Sequence, residues 1–339
     1  MAEKPVYVDA MGGDRAPEAP VRAALGASRE GIPCVLVGPR EVVERALARL
    51  GGRGEVPVED APEVIEAGEP PVQAVQKKPL SSVVQGMELA RGSAFVSAGS
   101  TGALMAAGLL LWGRIPGVKR PAIAGMFPTL DGRGTLVLDL GANMNASPLH
   151  LYQYAVMGTV YLRHALGRSH PRVGLLNVGT EEIKGNEVTR AAFRLLRESS
   201  LHFVGNVEGR EIFSGEVDVV VCDGFVGNVV LKTLEGMGQS VLGLLHRELA
   251  VPSPRIRLGV LVLRPALRRF ARLLDYREYG GAPLLGVNGV VVKCHGSSDE
   301  RALLNGIRLA RRMAGEKVNE YIREELEAAL ALKSSRGEE

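Results

Sequence analysis

The stretch FVSAGSTGALMAAG (residues 95–108) opens with a short apolar run, turns through Gly99, Ser100 and Thr101, and continues in Ala, Leu and Met at helical spacing. A strand that ends in a glycine turn and leads into a helix is the repeating unit of a parallel sheet, because parallel neighbours can be joined only by a crossover. The same unit recurs on both sides. Upstream stand VYVDA and PCVLVG, and downstream TLVLDLG, RVGLLNVG, HFVGNV and VDVVVCDG, most of them ending in or beside Gly, Asp or Asn. The apolar spacing predicts helices over 17–29, 40–50, 81–90, 102–111, 149–166, 186–197 and 227–249, with a long final helix over 299–332. This alternation specifies an α/β fold built on a doubly wound, mostly parallel sheet. In such sheets ligands bind at the carboxyl ends of the strands, so the glycine turns are expected to line one end of the sheet.

Composition agrees with this reading and excludes others. The chain has 339 residues, a formal net charge of +3 and 46% apolar residues, and its 42 glycines cluster between apolar runs without a collagen-like period. Cys34, Cys222 and Cys294 stand far apart with no CxxC, which suggests neither a disulfide framework nor a zinc site and favours a reduced, cytoplasmic setting. The opening MAEKPVYVDA lacks a signal-peptide pattern, and the apolar stretch 102–112 is too short to span a bilayer. No repeat or low-complexity linker divides the chain, so one catalytic domain is expected over 1–332, followed by a polar tail over 333–339. Within 250–278 the alternation fails. From Pro252 to Arg277 seven arginines stand against one acid, Asp275, and on a helix starting near Pro265 the residues Arg264, Arg268, Arg269 and Arg272 share an arc largely opposite Leu267, Phe270, Leu273 and Leu274. That is a basic amphipathic helix, suited to an acidic protein, to anionic lipid or to a solvated face on a packed helix.

Several turns carry groups with chemical potential. The turn 99–102 (Gly99, Ser100, Thr101, Gly102) could cradle an anion on free backbone N–H groups, or be a plain strand-to-helix turn with Ser or Thr as N-cap. In VDAMGGDRAP, Asp9 and Asp14 flank Gly12 and Gly13. These carboxylates could hold a basic group or accept backbone hydrogen bonds, or merely tie down the turn and cap the helix. The loop NVGTEEIKGNE places Lys184, one of only 9 lysines against 32 arginines, at the mouth of the sheet; it suits a phosphate or a developing oxyanion, or else pairs with Glu181 or Glu187. In VVVCDGFVGNVV, Asn228 could donate to an oxyanion with Asp223 holding it or Lys184 in place, or serve only as an N-cap. His295, in KCHGSSDE, is a candidate acid, base or phosphate donor, or a structural hydrogen-bonding group ahead of an N-cap at Ser297, Ser298 or Asp299. No GxGxxG, Walker, HExxH or GxSxG pattern occurs.

In colinear order the segments VDAMGGDRAPE, VSAGSTGALMAAGLL, LDLGANMN, PRVGLLNVGTEEIKGNE, FVGNVEGR, DVVVCDGFVGNVVLKTLEG, EYGGAPLLG and HGSSD resemble the bacterial acyl-carrier-protein:phosphate acyltransferase family, from Val6 to about Leu330. The resemblance implies a fold similar to the isocitrate/isopropylmalate dehydrogenase type and a homodimer. It further implies a cytoplasmic enzyme, peripherally associated with the membrane surface, that moves a fatty acyl group from acyl carrier protein to inorganic phosphate. The acyl phosphate would pass to a downstream glycerol-3-phosphate acyltransferase in phospholipid synthesis. The expected catalytic groups are Lys184, Asn228 and Asp223, the expected phosphate or substrate contacts Asp9, Gly12, Gly13, Asp14, 99–102 and His295, and the expected membrane or carrier-protein contacts Arg264, Arg268, Arg269, Phe270 and Arg272. No cofactor or metal is implied. Arg15, Ser100, Asn145 and Val226 depart from the usual pattern, and the amide at Asn145 removes a carboxylate that a base or metal role there would need. A nicotinamide-dependent dehydrogenase would want GxGxxG and a metal-binding carboxylate triad. A non-catalytic scaffold would not need a phosphate cradle. Nucleic acid is a poor partner for a chain with 4% aromatics and its basic excess in one segment.

Overall fold

A computed structural model describes residues 4–249, 259–267 and 280–335. The strands are β1 (Val6–Asp9), β2 (Cys34–Gly38), β3 (Val58–Asp60), β4 (Ala94–Ser97), β5 (Ala122–Phe127), β6 (Thr135–Leu138), β7 (Val173–Leu176), β8 (Phe203–Val207), β9 (Val219–Val221), β10 (Ala282–Leu285) and β11 (Val290–Lys293). They form one large sheet in the order β3-β2-β1-β4-β11-β10-β5-β6-β9-β7-β8. The helices are α1 (Glu18–Arg29), α2 (Arg40–Arg49), α3 (Pro71–Lys77), α4 (Ser82–Leu89), α5 (Thr101–Ala107), α6 (Pro148–Leu166), α7 (Glu187–Arg197), α8 (Gly224–Leu249), α9 (259–267), α10 (Glu300–Gly315) and α11 (Val318–Ser335).

The continuous apolar strands are explained by burial on both faces. Val6 and Val8, Ala94 and Val96, Leu136 and Leu138, Val219 and Val221, and Val290 and Val292 enter one core. The residues between them, Tyr7, Phe95, Val137, Val220 and Val291, enter or pack against the other. Side chains alternate with period two, so a sheet covered on both sides needs apolar residues at every position. Helices α1, α6, α10 and α11 contribute to the first core, and α3, α4 and α5 to the second.

All seven strands expected from the alternation are present, with four more. β3 is a short, mostly exposed edge strand, and β10 carries Pro283, a residue that argues against strand. Pro283 is tolerated because β10 is a diagonal connector: Ala282 and Pro283 pair with β11, whereas Leu284 and Leu285 pair with β5. The expected final helix is two helices, broken where Lys317 adopts φ 50°. The helix after β4 ends at Ala107 and continues as a π-helical turn, Gly108–Trp112.

The basic segment falls mostly outside the described residues, among them Arg268, Arg269, Phe270 and Arg272. α9 runs through Pro265 instead of starting there, because the apolar run before the proline is itself helical; Arg264 is exposed beside Leu261, Val262 and Leu263, which are 70%, 71% and 55% exposed. Among the described residues no helix is long and apolar enough to cross a membrane.

Candidate active site

Three glycine loops meet through their backbones at the carboxyl ends of β1, β4 and β11. Asp9 is buried; its Oδ1 accepts from Met11 N–H at 3.0 Å and its Oδ2 from the Ser97 hydroxyl at 2.6 Å, while Ser97 Oγ accepts from Gly99 N–H at 2.9 Å. Burial pushes the Asp9 carboxyl above the usual carboxylate range, against the opposing pull of Ser97 and the backbone N–H groups. A Cβ on Gly12 would stand 2.6 Å from both Asp9 Oδ2 and Gly99 N, so only glycine lets these turns touch. Asp14 N–H donates to Gly296 O at 2.8 Å, with Gly13 packed against that same carbonyl at φ 92°.

The remaining residues of this cluster divide between binding potential and plain structure. Ser100 is the N-cap of α5, accepting from Ala103 N–H at 3.4 Å, and Thr101 is the first helical residue. Gly102 is accounted for by helix packing, since a Cβ there would lie 2.6 Å from Pro71 Cγ. His295 Nδ1 accepts from Ser297 N–H at 3.2 Å and lies 2.9 Å from Ser297 Oγ, which leaves Nε2 to carry the proton of the neutral ring. Desolvation lowers its pKa; Lys293 and Lys232 add to this and Glu235 and Asp14 oppose it. Asp299 is the N-cap of α10, accepting from Ala302 N–H at 3.0 Å. Lys293, not expected as a site residue, is half-buried and donates to the Ala98 and Cys294 carbonyls. Its burial holds its ammonium below the usual lysine range.

A second cluster forms at the carboxyl ends of β6, β9 and β7. The Asp139 carboxylate, fully buried, accepts from the N–H groups of Ile123 (3.1 Å), Gly141 (3.2 Å), Ala142 (3.0 Å) and Asn143 (2.7 Å), and from Asn143 Nδ2 (2.9 Å). Helix α8 starts against this turn. Gly224 N–H donates to Asn143 O at 2.8 Å, and Gly227 sits on the Asp139 carbonyl so closely that a Cβ would collide with it. Asn228 lies within the helix and is therefore not its N-cap; it is half-buried, and a Cβ on Gly141 would stand 3.5 Å from its Cβ and Cγ.

Asp223 takes the capping position. Its Oδ1 accepts from Val226 N–H at 2.8 Å, which secures the start of α8. Lys184 stands on the β7–α7 loop, with its Nζ 4.0 Å from Glu181 Oε1 and both side chains well exposed. Such a pair is screened by water and holds the lysine only weakly. The loop itself is firmly built: Asn177 Nδ2 donates to Lys184 O at 3.2 Å, Asn206 Nδ2 donates to Glu181 O at 2.8 Å, and Gly185 turns at φ 90° over Asn177.

The glycine turns share one end of the sheet only within each half. β11, β10, β5 and β6 are successively antiparallel, so β6, β9, β7 and β8 run opposite to β1, β2, β4 and β11. The clusters are nevertheless close. Lys293 pairs with Ala282, Leu284 pairs with Ile123, and Ile123 N–H binds Asp139. Ile123 is thus about 10 Å across the strands and about 7 Å along them from Lys293. Helix α8 joins the clusters: Gly227 seats its start on the Asp139 carbonyl, and further along the ion pair Lys232–Glu235 (2.7 Å) acts electrostatically on His295 and, through Lys232, on Lys293. Asp139 and Asn143 escaped the sequence reading, although a lone Asp directly after the apolar run TLVL was a visible sign of a buried turn-forming carboxylate.

The family model described as "Fatty acid synthesis protein" matches residues 5–321. Curated proteins named phosphate acyltransferase are similar over nearly the whole chain. The one from Brevibacillus brevis is 49% identical over 327 residues, covering 95% of this chain and 97% of its own, and the one from Heliobacterium modesticaldum is 51% identical over 312 residues, covering 90% and 92%. Among solved structures, the EutD phosphotransacetylase of Staphylococcus aureus superposes with a TM-score of 0.61 at 14% identity, over 92% of this chain and 94% of that one. A phosphotransacetylase from Streptococcus pyogenes gives 0.60 at 16% identity, over 94% and 95%. At such identities the likeness is one of fold.

Proposed function

The chain belongs to the fatty acid synthesis protein family and is, like its curated relatives, an acyltransferase, and we propose that it moves a fatty acyl group from acyl carrier protein to inorganic phosphate for phospholipid synthesis. The observation that carries the mechanistic reading is the setting of Asn228, an amide carried in the first turns of α8, whose start is seated on a turn built on a buried carboxylate.

The chemistry asks little of acid or base groups. Phosphate near neutral pH is already anionic, and a thioester carbonyl is reactive with a fair leaving group. The site must hold phosphate against charge repulsion, align it on the carbonyl and stabilise the tetrahedral oxyanion. In the step itself a phosphate oxygen forms a bond to the acyl carbon and the C–S bond breaks. The electron pair leaves on sulfur, and the thiolate takes up a proton from solvent. Asn228 Nδ2 donates to the oxyanion. Lys184, exposed and only weakly paired, binds phosphate and offsets charge in the transition state, and the turn at Gly99, Ser100 and Thr101 contributes N–H and hydroxyl groups. The loops of Asp9, Gly12, Gly13, Asp14 and His295 shape the adjoining substrate surface.

The wider reading follows from the resemblance. The fold is of the isocitrate/isopropylmalate dehydrogenase type, a reading supported by the phosphotransacetylase neighbours, and residues 1–332 form one catalytic domain working as a homodimer. Arg264, Arg268, Arg269, Phe270 and Arg272 serve acyl carrier protein or peripheral contact with the membrane from the cytoplasm. The product passes to a glycerol-3-phosphate acyltransferase.

Trapping acyl phosphate as a hydroxamate while phosphate is titrated tests the function. Product should saturate with phosphate, and Lys184→Ala should raise the KM for phosphate at least about 10-fold, as loss of a charge-assisted contact does. Product that forms without phosphate, or a Lys184→Ala variant with an unchanged phosphate KM, contradicts the assignment.

A further inference from the structure

We infer that Asp139 is a positioning residue for the reaction: the turn it organises fixes the amide of Asn228 where the oxyanion forms. This rests on the reading of Asn228 as oxyanion donor and adds what aims that donor.

The geometry is a chain of direct contacts. One carboxylate gathers the N–H groups of Gly141, Ala142 and Asn143 and the side-chain amide of Asn143, so the backbone after β6 is wound around a single buried anion. A fourth backbone donor, Ile123 N–H at 3.1 Å, ties that anion to β5. Asn143 Nδ2 also donates to Pro121 O at 2.6 Å, which locks the turn to the segment leading into β5. This turn and the start of α8 then engage at successive points: Gly224 on Asn143, Gly227 on the Asp139 carbonyl, and Gly141, at φ 126°, against Asn228. A side chain on Gly224 or Gly227 would force the two elements apart, whereas at Gly141 it is the φ of 126° that calls for glycine. Asn228, the residue after Gly227, therefore inherits its place from the Asp139 turn through the start of α8 that is seated on it.

A carboxylate is needed at this position for a chemical reason. Every group pointing at Asp139 is an N–H donor, and a carboxylate accepts without offering a proton of its own. An amide of the same shape would present an NH2 group to one of these donors and loosen the turn. A shift of about 1 Å in a catalytic group costs up to about 100-fold in rate.

The test is a double-mutant cycle on kcat between Asp139→Asn and Asn228→Ala, repeated with the milder Asn143→Ala, which removes one donor and leaves the carboxylate. Asp139→Asn alone should lower kcat by about 10- to 100-fold and leave the phosphate KM within about 3-fold, and Asn143→Ala should lower kcat less. In the Asn228→Ala background each should cost under about 3-fold, because the amide they aim is gone. If Asp139→Asn does not yield folded protein, the Asn143→Ala cycle decides. Equal losses in both backgrounds overturn the positioning role while leaving the Asn228 reading intact, and so does wild-type kcat in a folded Asp139→Asn or Asn143→Ala variant. An Asn228→Ala variant with wild-type kcat overturns the donor reading and this inference together.

Discussion

Asn228→Ala should lower kcat about 100- to 1000-fold, the usual cost of removing one oxyanion donor. The loss should fall on kcat more than on the KM for either substrate, because the interaction exists only once the carbonyl carbon has become tetrahedral. Folding should be little affected. The side chain is half-buried, and a change of this kind at a partly exposed position costs about 1 kcal/mol or less. Asn228→Asp should be no more active than Asn228→Ala, since a carboxylate keeps the shape but sets a negative charge beside the developing oxyanion. Steady-state kinetics together with thermal unfolding separates these effects. Near wild-type turnover in Asn228→Ala would remove the residue from the mechanism.

Gly227→Ala should be the most destabilising single methyl in α8. The added Cβ would collide with the Asp139 carbonyl oxygen and stand 2.9 Å from the Asp139 carbonyl carbon and 3.0 Å from Cys222 Sγ. These neighbours are backbone and a buried thiol, neither of which can swing away. The helix start must lift off β6, at a cost of about 3 kcal/mol, and Asn228 moves with it, so activity falls too. Gly236, Gly238 and Gly243 in the same helix provide the contrast. Nothing lies within 4 Å of a Cβ at these positions, and Ala there should stabilise by roughly 0.5–1 kcal/mol through helix propensity. Denaturant midpoints for the four variants measure the difference; a Gly227→Ala variant as stable as the wild type would show that α8 is not clamped to the Asp139 turn.

The strands were legible because each is buried on both faces, which turns a period-two pattern into an unbroken apolar run such as VVV at β9 or TLVL at β6. β10 was hidden by Pro283, whose tolerance depends on a diagonal pairing that only the assembled sheet reveals. Strand direction was equally hidden. Nothing in the residues of β5 or β10 marks them as antiparallel, so the glycine turns look like one row when they are two groups brought near each other by that reversal. Candidate groups could be named by type, but not their allegiance. Asp223 and Asn228 stand five residues apart in one motif, yet Asp223 caps the helix while the place of Asn228 depends on Gly227 meeting the Asp139 carbonyl, a group far away in sequence. Gly102 likewise packs against Pro71, a neighbour that the turn sequence does not reveal.

The central claim, that a phosphate oxygen attacks the thioester carbonyl, is tested most directly by isotope. Phosphate labelled with 18O at all its oxygens is turned over with acyl carrier protein thioester, and the acyl phosphate is read by mass spectrometry. The mechanism predicts that the product keeps every labelled oxygen on phosphorus, the bridging one included, with an unlabelled carbonyl. A product whose bridging oxygen is unlabelled would mean that a carboxylate attacked phosphorus after thioester hydrolysis, and would contradict the roles of Asn228 as oxyanion donor and Lys184 as phosphate ligand.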